Sequence, residues 1–383
     1  MRIAMLTYSV KPRGGVVHAV EVAEALARRG HDVELMALAR PGESLFRETT
    51  VPVRIVRFTP PPDVPFDVRI EAMLEAYAEG LRPLLGHDIV HAQDCLSANA
   101  ALTLRDEGAI EHVIRTVHHV DDFTSPSLIA CQDRSIVGPD HVLCVSPPWV
   151  ERLKREFGID AGLVPNGVDT HRFRPPHDAA ERADARRRAG IGDRLAVLTV
   201  GGVEPRKGSL TLLEGFARLR AALPYRDPLL LIAGGATLFD YRHELERFEA
   251  RVHELGLERD VRRLGPLEPD EIERLFRAAD AFAFPSVKEG FGLAALEALA
   301  AGLPLVASDL DVFHGFLTDG VSALLHPVGD ADALASALAR VAREPDLRAR
   351  LRRGGAEVAA RFGWDASGAR HEAEYELLGS MAR

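Results

Sequence analysis

The chain has 383 residues, 46% of them hydrophobic and 27% charged, which is apolar material enough for two cores. Its formal net charge of −10 argues against nucleic acid as the main partner, because a phosphate backbone asks for a basic surface. Three widely spaced cysteines without a Cys-x-x-Cys fit a reducing cytoplasm and no structural zinc; no apolar run approaches the roughly 20 residues that cross a bilayer, and the opening run is too short for a signal peptide.

In chain order, residues 3–6 predict a strand, Gly14-Gly15 a loop, and Val16, Val20, Ala23 and Leu26 one face of a helix closed by Gly30. Strands are expected over 33–38 and 51–58, followed by a proline-rich loop over 59–68. A helix over 69–85, a strand over 89–91, a helix over 97–104 and a strand over 112–117 come next. Residues 119–135 read as loop, 141–145 as strand and 149–157 as helix. The pattern then starts again, with strands over 196–201, 229–233, 261–264, 281–284, 305–307 and 323–325. Helices are expected around Leu212, Phe216 and Leu219, and over 241–255, 269–278, 295–301, 330–342 and 346–361. Short apolar runs alternating with helices mean parallel sheets buried on both faces. We therefore expect an α/β protein of two doubly wound, Rossmann-like domains, 1–170 and 190–364, facing across a cleft. The seam falls near 165–194, where proline and charge concentrate. Arg186-Arg187-Arg188, and Arg348, Arg350, Arg352 and Arg353, read as solvated helix faces ahead of lipid contacts.

In open sheets of this kind ligands bind beyond the carboxyl ends of the strands, where Gly14-Gly15, His118, Lys207, Gly234-Gly235 and Glu289 are expected to fall. Glu289-Gly290-Phe291-Gly292-Leu293 follows a strand and opens a helix, with Glu297 expected in that helix's first turn. Free N–H groups at a helix start suit a diphosphate, and two flanking carboxylates suit polyol hydroxyls. The same residues also fit plain packing, since acids near a helix start are favoured by its dipole. Gly201-Gly202 leads to Arg206-Lys207-Gly208, whose cations either neutralise a leaving diphosphate or sit in solvent on a surface turn. Neither glycine loop carries the dinucleotide or P-loop spacing. His118-His119-Val120-Asp121-Asp122 could bind a metal, act as a base, grip hydroxyls or simply end a strand. Asn166-Gly167-Val168-Asp169 is either a tight turn at positive φ or a loop presenting its backbone to the cleft.

Together these residues resemble the family 4 glycosyltransferases, retaining enzymes of the GT-B fold, over nearly the whole chain. Gly14-Gly15 is similar to the family's N-terminal glycine loop, and Thr116-Val117-His118 to the strand end whose histidine contacts the donor sugar. Pro165 to Asp169 resembles the interdomain signature, and Lys207-Gly208 the diphosphate-binding lysine. Glu289 to Glu297 resembles the paired-glutamate motif. There the resemblance implies Glu289 on the sugar hydroxyls, Gly290-Phe291-Gly292-Leu293 on sugar and phosphate, and Glu297 on the ribose. The closing helix, about 365–383, resembles the tail that crosses back onto the first domain. Two stretches depart from the family: Gly202 stands where it usually has arginine, so that either Arg206 substitutes or transition-state charge is less well neutralised. Asp309, Asp311 and His314 replace its glycine pair and glutamate.

The resemblance implies transfer of a sugar from a nucleoside diphosphate, uridine ahead of guanosine or adenosine, to an acceptor hydroxyl with retained configuration. His118, Lys207 and Glu289 are the expected catalytic residues, with Gly14, Gly15, Gly202, Arg206 and Glu297 among the donor-binding set. No metal or other cofactor is implied. The acceptor is a sugar, polyol, glycan or lipid, chosen by the loops 59–68 and 119–135. The protein is expected in the cytoplasm, as monomer or homodimer, with at most peripheral membrane contact. The alternatives are a nucleotide-sugar epimerase or hydrolase of the same fold, and a non-catalytic nucleotide-sugar binder. A sharp rise in turnover on Gly202→Arg would show that the loop runs under-charged.

Overall fold

The computed structural model describes residues 1–62, 64–83, 86–235 and 241–381; the expected helix ends at 84–85 and 382–383 lie outside them. The chain divides into two compact units, Met1–Gly167 with Trp364–Arg383, and Val168–Gly363. Each holds one parallel sheet whose strands alternate with helices along the chain.

The first unit's strands are β1 (Arg2–Thr7), β2 (Asp32–Ala39), β3 (Val53–Arg57), β4 (Ile89–Ala92), β5 (Val113–Val117), β6 (His141–Cys144) and β7 (Gly162–Leu163), in the order β3-β2-β1-β4-β5-β6-β7. Every pairing is parallel, and Leu6 at the end of β1 stands opposite both Met36 and Ala92. The order therefore reverses between β1 and β4, which opens a crevice at their carboxyl ends. β4 and β5 are buried along their whole length, as the apolar runs require. Gly14 and Gly15 are the first two residues of the helix Gly14–Arg28, so the loop they were expected to form lies upstream, over 8–13. The 119–135 stretch, expected as loop, contains most of the helix Pro126–Val137, which starts on proline at its first position.

The helix Trp364–Met381 belongs to this first unit and lies along Gly14–Arg28. The approach is close: a Cβ on Gly368 would stand 2.9 Å from that of Ala25. Glu372 pairs with Arg29 and His31, and Glu374 with His141 at 2.7 Å. The helix also brings Tyr375 and His371 into the interior. Tyr375 reaches His91 Nδ1 at 2.7 Å, and the other ring nitrogen of His91 meets Thr116 Oγ1 at 2.8 Å. His18, His91 and His371 are fully buried. His18 sits edge-on to His118 at 4.8 Å between ring centroids, and His371 lies 5.5 Å from His18 and 5.6 Å from His91.

The second unit's strands are β8 (Ala196–Val200), β9 (Leu229–Ala233), β10 (Val261–Gly265), β11 (Ala281–Phe284), β12 (Leu305–Ser308) and β13 (Leu324–His326), in the order β10-β9-β8-β11-β12-β13. All pair in parallel, and the order reverses between β8 and β11. Phe216, Leu213, Leu230, Ala283, Val306, Leu334 and Leu351 lie in one continuous core. Residues 168–189, read from sequence as a seam, are part of this unit. Their helix Ala179–Arg188 is tied down by Arg186, which donates to the carbonyls of Ala278 and Gly192 and pairs with Asp280. Only Arg187 and Arg188 of that run form the expected exposed face, both paired with Asp184. In the second arginine cluster, Arg348 and Arg350 are spent on the carbonyls of Val341, Ala342 and Gly320. Val168 pairs with Gly363, so the chain enters and leaves the unit at adjacent points.

Burial pushes the imidazoles of His18, His91, His118 and His371 below their ordinary value, His371 to about 4. The unfolded chain, titrating near 6.5, takes these protons first as pH falls. The contribution of these histidines is therefore fully present above about pH 6.5 and is lost as pH falls, for His371 down to about 4. His371→Gln should flatten that decline; for this one residue the difference at pH 5 is on the order of 2 kcal/mol. Urea unfolding at pH 7.5 and 5 measures it.

Candidate active site

The carboxyl ends of β8 and β11 define the crevice of the second unit. Two helices start there, Ser209–Ala222 after β8 and Leu293–Ala300 after β11. Each has a left-handed glycine at its N-cap, Gly208 at φ 64° and Gly292 at φ 100°, and neither cap supplies a side-chain hydrogen bond. First-turn N–H groups left without a side-chain cap, at the positive end of a helix dipole, suit an anion.

The glycines are required by close packing. A Cβ on Gly208 would lie 2.0 Å from the Pro285 carbonyl oxygen, and one on Gly292 would lie 2.6 Å from the Phe313 ring. The loop after β8 is thus pressed against the end of β11. Gly201 and Gly234 stack in the same way, with a Cβ on Gly234 only 2.6 Å from the Gly201 carbonyl carbon.

This packing brings Lys207 and Glu289 together. The Lys207 ammonium donates to Glu289 Oε1 at 2.7 Å and stands 4.9 Å from the Phe284 ring centroid. Arg206 approaches the other carboxylate oxygen at 3.3 Å and donates to the Lys288 carbonyl at 3.1 Å. The Ser286 hydroxyl adds a bond to Oε1 at 2.8 Å. Glu289 is only 8% exposed. Burial alone would raise its carboxyl, but the charges of Lys207 and Arg206 outweigh that and hold it at about 2. The group is a permanent carboxylate, able to accept hydroxyl hydrogen bonds and unable to deliver a proton.

Other expected site residues stand differently. The Phe291 ring is buried against Phe316 at 5.0 Å and Phe362 at 5.8 Å, so at that residue the backbone alone is left to face a ligand. Glu297 lies in the second turn of its helix and is half-buried, because the helix begins at Leu293. Gly202 has no room for the family's arginine: a Cβ there would stand 2.6 Å from the Gly235 carbonyl oxygen. An arginine at 202 would displace the backbone at Gly235, so that substitution changes packing as well as charge. Asp309 and His314 form an exposed pair at 2.5 Å.

In the first unit, Gly15 and His118 come together: a Cβ on Gly15 would touch the imidazole at 3.3 Å. Gly14 faces open space. His118 Nε2 bonds Gln93 Oε1 at 3.1 Å. An amide oxygen only accepts, so Nε2 carries the proton and Nδ1 remains an acceptor. His119 pairs with Asp121 at 3.2 Å, and among the described residues no three His, Cys, Asp or Glu side chains converge as a metal needs. Neither Asn166 nor Gly167 has positive φ. Asn166 is buried and its side chain holds His18 Nδ1 at 2.8 Å, a tertiary contact that turn chemistry does not predict. Sequence reasoning missed Ser286, Phe284, Gln93 and His18. Only Ser286, at a strand end beside the motif, left a local signal.

Residues 12–172 match the family described as Glycosyltransferase Family 4, and residues 181–358 match Glycosyl transferases group 1. The chain is 31% identical to a D-inositol 3-phosphate glycosyltransferase of Saccharomonospora viridis, over 95% of this chain and 91% of that protein. A sucrose-phosphate synthase from Thermosynechococcus elongatus has the same fold, with a TM-score of 0.82 at 25% identity over 99% of both chains. An Anabaena protein, HepE, solved with UDP and glucose, gives a TM-score of 0.80 at 19% identity, over 99% of this chain and 100% of that one. At that identity the likeness is one of fold alone.

Lys207→Ala would leave a buried carboxylate with one cation fewer and should destabilise the protein by about 3 kcal/mol. The double variant Lys207→Ala/Glu289→Ala should cost less than the single, since it removes the stranded charge. Gly202→Arg should lower the unfolding midpoint through its clash with Gly235. Urea titrations of the three variants check all of this.

Proposed function

Because this chain belongs to glycosyltransferase family 4 and has the GT-B fold, we propose that it is a retaining enzyme. It moves a sugar from a nucleoside diphosphate, UDP first, to an acceptor hydroxyl. The observation that carries the reading is the buried Glu289 carboxylate gripped by Lys207 and Arg206 beside two glycine-capped helix starts.

The chemistry follows from those groups. Cleaving the sugar–phosphate bond builds positive charge at the anomeric carbon and negative charge on the leaving diphosphate. An ammonium has three donors; with one on Glu289, Lys207 keeps others for a phosphate oxygen. The N–H groups following Gly292 and Gly208 add fixed positive potential without reorganising. The chain supplies this positive charge itself, so the reading invokes no divalent cation. Glu289, ionised at every working pH, accepts from sugar hydroxyls and orients the ring. Arg206 stands in for the arginine that Gly202 cannot carry. Neutral His118 offers its Nδ1 to a hydroxyl. The leaving phosphate takes the acceptor's proton, so no protein base is assigned. Glu297 on the ribose and a cytoplasmic location complete the reading. The relative named for inositol 3-phosphate supports a polyol hydroxyl among the acceptors.

With UDP-sugar and a matched acceptor, the product should keep the donor's anomeric configuration, read by proton NMR coupling. Without acceptor, hydrolysis and epimerisation should both be slow; rapid epimer formation would replace this reading with the epimerase. Lys207→Ala should lower kcat by about 10²–10³. UDP at 100 times its Kd should add roughly 2.7 kcal/mol of apparent stability. Between pH 5 and 9 the rate profile should show no limb from Glu289, whose carboxyl lies near 2.

A further inference from the structure

A cavity of about 250 Å³ in the first unit is lined by Arg40, Thr59, Pro60, Pro61, Pro62 and Arg69. Arg40 directly follows β2, Thr59 to Pro62 follow β3, and Arg69 lies near the start of the helix Phe66–Leu81. The cavity thus opens at the carboxyl ends of the strands, the end at which His118 follows β5. It is smaller than the roughly 300–1,000 Å³ that encloses a whole drug-sized ligand, and so suits one group of a substrate.

Its chemistry is one-sided. Among the described residues of the lining, the polar side chains are two guanidiniums and one hydroxyl; the nearby Glu43 carboxylate accepts from the Arg40 backbone N–H at 3.0 Å. The three prolines offer no N–H and hold a stiff wall. Arg69 is the unusual member. Its Nε is buried without a hydrogen-bond partner. Arg13, Arg47 and Arg115 also leave Nε unpartnered, yet each places another guanidinium nitrogen on Tyr8, on Glu24 or on the Thr116 carbonyl. Among the described residues, no guanidinium nitrogen of Arg69 or of Arg40 has a hydrogen bond or ion pair. A buried cationic donor left unmade is costly, and an oxyanion accepting from the planar fork removes that cost.

We propose that this cavity is an anion subsite that holds the phosphate group of a soluble phosphorylated acceptor through Arg69 and Arg40, with the Thr59 hydroxyl as a third donor. The assignment of the anion to the acceptor rests on the transferase reading above; the binding of the anion does not.

The test is calorimetric titration of the full chain, in phosphate-free buffer, with inorganic phosphate, glucose 6-phosphate, inositol 3-phosphate, glucose and inositol. UDP is titrated in parallel, and flotation on phosphatidic-acid vesicles is measured separately. At least one phosphorylated polyol should bind about tenfold or more tighter than its parent. Arg69→Gln and Arg40→Gln should each remove about tenfold of that affinity, and Arg69→Lys less. UDP affinity should stay unchanged and the unfolding temperature should not fall, and the control Arg54→Gln, which lies outside the cavity, should leave phosphate affinity unchanged. The subsite is overturned if no phosphorylated probe binds, if parents bind equally well, if the glutamine variants bind as the wild type does, or if vesicles alone are retained. Failure of UDP to bind while Arg69-dependent phosphate binding persists would sink the transferase reading instead.

Discussion

A carboxylate that loses almost all its solvent survives in a protein only when fixed cations replace the water. Glu289 meets that condition through Lys207, Arg206 and the Ser286 hydroxyl. The arrangement depends on backbone more than on side chains. Lys207 reaches Glu289 because the turn that bears it lies against Pro285, and it lies there because Gly208 has no Cβ. The same economy of atoms stacks Gly201 on Gly234 and Gly202 on Gly235. A charged cluster, two helix starts and five glycines therefore form one unit of design at the reversal of strand order. The absent family arginine at 202 follows from it, because the space is already occupied by the Gly235 carbonyl.

The doubly wound sheets were legible because parallel strands buried on both faces write themselves as apolar runs, as 281–284 and 229–233 do. The helix Ala179–Arg188 was not, since it is nearly all charge and alanine and gains its place from Arg186 and Arg182 reaching across to Asp280. The helix Pro126–Val137 was hidden by Ser125-Pro126-Ser127, which reads equally as a turn. In the site, Glu289, Lys207 and the glycines could be found because loop chemistry is written locally. The direction of the Phe291 ring could not, because Phe316 and Phe362, which pull it inward, are distant in sequence. Asn166 shows the same limit: its neighbour Gly167 suggests a turn, while its contact lies 148 residues away at His18.

The first unit is organised around polar groups in an apolar interior. His91 sits mid-strand in β4 and is satisfied on both sides, by Thr116 of β5 and by Tyr375 of the helix Trp364–Met381. His371 and His18 continue the series to His118, the residue at the mouth of the crevice. Directional contacts of this kind fix the register of that helix more tightly than apolar packing would. They also hold the His118 ring from behind, while Gln93 sets its tautomer.

That helix has a consequence for biosynthesis. The second unit is one uninterrupted stretch, Val168–Gly363, whereas the first borrows Tyr375 and His371 from residues that follow it. On the ribosome the earlier-made portion must therefore wait, its interior lacking two of its own side chains, while the later-made portion emerges and closes ahead of it. The nascent chain completes its architecture out of order, and a segment translated after the second unit seals the lobe made before it.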